Sequence, residues 1–66
     1  MINAVAVRDT DGLKLTLIFE DGPMVGRKEE HLPEGEPAFN LPYEQWLEIA
    51  GQGLFLVTDD GLKPTS

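Results

Sequence analysis

Leu13-Lys14-Leu15-Thr16-Leu17-Ile18-Phe19, followed by Glu20-Asp21-Gly22-Pro23, decides how the chain is read. Leu13, Leu15, Leu17 and Phe19 recur at every second position, with Lys14, Thr16 and Ile18 between them, so the stretch is a strand with one buried face. Asp-Gly then supplies the left-handed conformations that tight hairpins favour. The same punctuation precedes it: Ile2 to Arg8 is a short run rich in Val and Ala that ends at Asp9-Thr10-Asp11-Gly12. Beyond the second turn, Met24 to Lys28 or a little further makes a third strand, weakened by Pro23 and Gly26. Three antiparallel strands joined by tight turns form a meander.

Leu32 to Pro42 contains Pro33, Gly35, Pro37 and Pro42 and reads as a loop. A helix starts close to Pro42, whose fixed dihedral suits a first helical position, with Asn40 or Leu41 as the cap. Tyr43, Trp46, Leu47 and Ala50 follow the spacing of one buried stripe, with Glu44, Gln45 and Glu48 facing away. Gly51 or Gly53 ends the helix. Leu54 to Val57 is apolar throughout and predicts a strand covered on both faces. Asp59-Asp60-Gly61 is a further turn, and Leu62 to Ser66 reads as a tail. The expectation is one α+β domain over residues 1–66, ordered β-β-β-α-β: a three-stranded antiparallel meander, one short helix and a final strand, with the helix packed on one sheet face.

Val5, Val7, Ile18 and Val57 then fall on the opposite face. Curling into a small barrel or pairing of that face in a homodimer would cover them, with the dimer slightly ahead. The need is real, because a 66-residue chain buries only about 60% of the surface it exposes unfolded. Without cysteine, neither a disulfide nor a thiolate metal site can help.

The net charge of −7 is unevenly spread. Residues 1–28 balance Asp9, Asp11, Glu20 and Asp21 against Arg8, Lys14, Arg27 and Lys28. From 29 to 48 there are six glutamates, Glu29, Glu30, Glu34, Glu36, Glu44 and Glu48, and no lysine or arginine. Such a segment repels phosphates, so direct nucleic-acid binding and anionic lipid surfaces are disfavoured, and a protein partner with a basic surface is the natural complement. No run approaches the ~20 apolar residues of a membrane span, and no signal peptide is visible, so a cytoplasmic home is expected.

Few motifs carry chemistry. Asp9, Asp11 and Glu20 stand at the first, third and twelfth places of an EF-hand-length loop, but its required sixth-place glycine is Lys14. His31 is the only histidine and reads as a solvated loop residue; a small metal-dependent enzyme built on it is a distant alternative. The only serine is Ser66, which removes Ser and Cys nucleophiles, and no glycine-rich phosphate loop is present, so neither an enzyme nor a cofactor is expected. Asp-Gly-Leu-Lys occurs at 11–14 and again at 60–63, two turns drawing on one residue set.

Ile2 to Gly22, with the hairpin at 13–22 and the closing Gly61-Leu62-Lys63-Pro64, resembles a bacterial family catalogued as domain of unknown function 2442. The residues that carry the likeness are Leu13, Leu17, Phe19, Asp21 and Gly22. The resemblance implies a strand, a hairpin, a short third strand, a loop and helix, then a late strand. The tryptophan of that family near its last strand has no counterpart here, where Thr58 to Asp60 stand. The resemblance implies a fold and no activity; the acidic segment leads to a regulatory or adaptor protein that binds through residues 29–48, with Trp46 as an anchor if partly exposed. A phage or mobile-element inhibitor that imitates nucleic acid, of the anti-restriction or anti-CRISPR kind, is the alternative.

Overall fold

The computed structural model describes residues 1–22 and 25–65. Pro23 of the expected second turn, Met24 at the expected start of the third strand, and Ser66 lie outside the described residues. Strand β1 (Ile2–Asp9), strand β2 (Gly12–Phe19) and strand β3 (Gly26–Pro33) form the expected antiparallel meander. Helix α1 (Tyr43–Ile49) follows, then strand β4 (Leu54–Thr58) and strand β5 (Gly61–Pro64). All five strands join one antiparallel sheet in the order β3-β2-β1-β4-β5.

The α+β class holds, with one more strand than the sequence indicated. Where a tail was expected, Gly61–Pro64 pairs with β4. Thr58 closes the intervening turn, its hydroxyl donating to the Gly61 carbonyl at 2.8 Å and accepting from the Asp60 N–H at 3.2 Å. Leu62 then packs at the edge of the core beside Val57. The third strand also runs further than expected, to Pro33, because all eight of its residues find partners along β2. Its charged side chains tolerate an edge position, and Leu32, opposite Leu13, is its one buried anchor.

The core lies between the sheet and the helix. Leu13, Leu15 and Leu17 from β2, Ala4 and Ala6 from β1, and Trp46 from α1 are almost wholly buried. Alanine at 4 and 6 keeps β1 low, so the helix can lie close over it. Tyr43, Trp46 and Ile49 form the buried stripe, while Leu47 and Ala50 are only partly covered. The helix is capped by Pro42 with no side-chain hydrogen bond, so Asn40 does not serve as its cap. Asn40 instead shares a tight turn with Phe39, both at positive φ (62° and 54°), closed by two backbone hydrogen bonds between Ala38 and Leu41. The Trp46 indole N–H donates to the Ala38 carbonyl at 3.1 Å, and the Phe39 ring meets the indole edge-on at 6.4 Å. At its far end the helix is tied down by the Gly51 N–H, which donates to the Ala6 carbonyl just past the residues of β1 that pair with β4.

Two face assignments need correction. Val57 lies opposite Ile2 and packs against the helix-side core, not on the open face. The β4 strand is covered on one side only, and Leu54 is 39% exposed on the other. Val5, Val7 and Ile18 do point away from the helix, as expected. The sheet does not curl shut within one chain, since β3 and β5 are its two separate edges.

Candidate protein-interaction surface

The six glutamates of 29–48 divide into two groups. Glu29 and Glu30 belong to β3, not to a loop, and each meets a cation: Lys14 Nζ lies 3.5 Å from Glu29, and Lys28 Nζ lies 2.9 Å from Glu30. Alternation along the strand puts Glu29 on the open face and Glu30 on the helix side. Exposed pairs of this kind stabilise little but do cancel local charge.

Glu34 and Glu36 follow β3 in a tight turn, with the Glu36 N–H donating to the Pro33 carbonyl at 3.1 Å. Glu44 and Glu48, four residues apart, project from the solvent side of α1. Among the described residues, none of these four is in an ion pair.

The turn between β1 and β2 adds to this acidic region. The Glu34 N–H donates to the Asp11 carbonyl at 3.1 Å, pinning the chain after β3 against that turn. Asp9, Asp11 and Glu34, with Arg8 as the one cation, surround a hollow of about 300 Å³ floored by Gly12, Tyr43 and Leu47. Gly12 is what permits the approach: a Cβ there would stand 2.1 Å from the Leu32 carbonyl oxygen and 3.1 Å from the Glu34 nitrogen. Reading by segment missed Asp11, because it lies in the charge-balanced first part of the chain. Counting the hairpin register from Gly12 to Pro33 would have brought it beside Glu34.

Trp46 leaves the set of surface residues altogether. It is 0% exposed, held by its hydrogen bond to Ala38, and organises the core beneath the acidic layer. His31 is a β3 residue and not a loop residue; its Nδ1 lies 3.8 Å from the Asp9 carboxylate, with both side chains about half exposed. The EF-hand spacing comes apart in space as well. Glu20 follows the far end of β2, where its carboxylate accepts from the Asn3 side chain, while Asp9 and Asp11 flank the near end. Among the described residues no three His, Asp or Glu side chains are grouped to hold a metal ion.

No helix of the described residues is long and apolar enough to cross a membrane. Compared with known proteins, the chain matches no family model, no curated protein and no solved structure.

Proposed function

We propose that this protein is a non-enzymatic regulatory or adaptor module that docks against a basic surface of another protein. The docking surface consists of Asp11, Glu34, Glu36, Glu44 and Glu48. One observation carries the reading: the glutamates on the sheet are matched by lysines, whereas those after it, from Glu34 to Glu48, have no ion-pair partner among the described residues. Asp11 and Glu34 border one hollow together with Tyr43 and Leu47 of the helix that carries Glu44 and Glu48, a concentration that solubility alone does not require. A concentrated field of one sign accelerates encounter with a partner of opposite sign and orients it. The tight turns at Gly12 and at Glu34–Glu36 hold part of the array in place before binding, which lowers the entropy lost on docking.

The test compares wild type with a Glu34/Glu36/Glu44/Glu48→Gln variant and a Glu29/Glu30→Gln control in pull-downs from bacterial lysate. The captured protein is then titrated at about 50 mM and about 300 mM salt. The expected result is a basic partner bound by wild type and by the control, lost in the fourfold variant and weakened steeply by salt. Identical capture by all three proteins would refute the reading. A captured nucleic-acid-handling enzyme would specify the partner as one whose groove normally holds phosphates.

A further inference from the structure

The sheet face turned away from the helix is only partly covered in the single chain, where Asn3 alone among its side chains is buried, and the strand registers place those side chains in rows. One row crosses the sheet as Arg27, Ile18, Asn3, Leu56 and Lys63. The next is Glu29, Thr16, Val5 and Leu54, and the third is His31, Lys14 and Val7. Val5, Val7, Ile18, Leu54 and Leu56 therefore form a continuous apolar patch, framed by charges at the sheet edges. Leu54, the most open of these, is 39% exposed, a poor place for a leucine unless something covers it.

The charge on this face distinguishes it from the rest of the molecule. Its cations are Lys14, Arg27 and Lys63. Its anions are Asp9, Glu20 and Glu29, with Glu20 turned onto the face by its hydrogen bond to Asn3. Three of each sign cancel, so the whole net charge of −7 resides elsewhere, on the helix side and the turns. Two copies of so acidic a chain repel one another in every orientation that opposes those carboxylates. They can meet closely through the one face where the charges balance.

We infer that this open face is the contact between two copies of this chain, packed sheet on sheet. Rotating one copy about an axis running across the strands brings the first row over the second. Arg27 then faces Glu29 of the second copy, Leu56 faces Leu54, and the relation repeats symmetrically, as a closed pair requires. The three rows hold five, four and three residues, so at ~4.8 Å between strands and ~7 Å between rows they cover roughly 400 Å² per copy. About 800 Å² in total falls below the ~1,000 Å² of a stable specific interface, so the pair forms weakly and reversibly and not as an obligate dimer. The acidic surface stays outward on both copies. This inference stands independently of the partner proposed for that surface.

Sedimentation equilibrium on wild type, from low micromolar to about millimolar concentration, tests it together with three variants. Wild type reaches twice the monomer mass in the upper range. L54K stays monomeric with unchanged circular dichroism, since Leu54 is already the most open residue of the patch. R27E weakens association by roughly ten-fold, and the exchanged pair R27E/E29R restores it. Monomer mass for wild type throughout overturns the inference and leaves the face to another occupant. A dimer indifferent to L54K, or growth beyond two copies, overturns it equally. None of these results bears on the acidic surface, whose fourfold Glu34/Glu36/Glu44/Glu48→Gln variant leaves this face intact.

Discussion

Replacing Gly12 with alanine strikes the fold and the acidic surface at one point. The backbone there has φ of 155°, in the region that side chains rarely occupy, and adding a Cβ costs on the order of 1–2 kcal/mol for conformation alone. The larger effect is steric. The Leu32 carbonyl oxygen lies 2.1 Å from where the Cβ would stand, so β3 must retreat by about 1 Å before contact becomes tolerable. That retreat opens the end of the β2–β3 ladder and stretches the Glu34-to-Asp11 hydrogen bond, at about 1 kcal/mol for each bond lost. The total is about 3–4 kcal/mol, against the ~3–10 kcal/mol that a domain of this length commands. With a urea m-value near 1 kcal/mol/M, the unfolding midpoint falls by about 3 M. Gly35 provides the internal comparison, because it also has positive φ (85°) but nothing within 4 Å of where a Cβ would stand. Alanine there costs about 1 kcal/mol, the conformational part alone. Equal midpoints for the two variants would refute the claim that close approach of β3 is what requires glycine at position 12.

Two further outcomes follow from the core and the surface. Trp46→Phe loses the indole hydrogen bond to Ala38 and leaves a void beneath the Phe39 turn, lowering stability by about 2–3 kcal/mol in urea titrations followed by circular dichroism. Neutralising Glu34, Glu36, Glu44 and Glu48 to glutamine raises the urea midpoint at low salt. The Glu44–Glu48 repulsion alone, four residues apart on the helix, accounts for ~0.2–0.5 kcal/mol. The gain shrinks as salt is added, and a loss of stability instead would mean that these carboxylates have internal partners.

Much of this architecture was legible in the residues, for identifiable reasons. Leucine at every second position from 13 to 17 leaves one reading for β2, and the Asp-Gly turn that follows sends the chain back antiparallel. The helix announced itself through Tyr43 and Trp46. The full length of β3 did not, because Arg27 to His31 carry no apolar alternation: an edge strand needs only its backbone ladder and one anchor, Leu32. The β5 strand was hidden for a similar reason, with Leu62 its single apolar side chain and a threonine hydroxyl closing its turn. Leu54 to Val57, apolar at every position, offers no parity, so only the pairing of Val57 with Ile2 reveals which way each side chain points. The acidic character of the surface was visible in the charge count. Its membership was not, since Asp11 joins through the hairpin register and Glu29 and Glu30 withdraw into ion pairs.

The order of strands in the sheet also dictates how the chain must assemble. The β1–β2–β3 meander and the β4–β5 hairpin each pair neighbours in sequence, so both form with little loop to close. The seam between β1 and β4 joins residues about fifty positions apart through only four partners, Ile2 to Val5 against Leu54 to Val57. Closing so long a loop for so few bonds is slow and late. The helix lies over β1, with its end fastened to Ala6 just beyond that seam. Opening of the native protein therefore begins at this seam, releasing the hairpin as a unit while the meander stays paired.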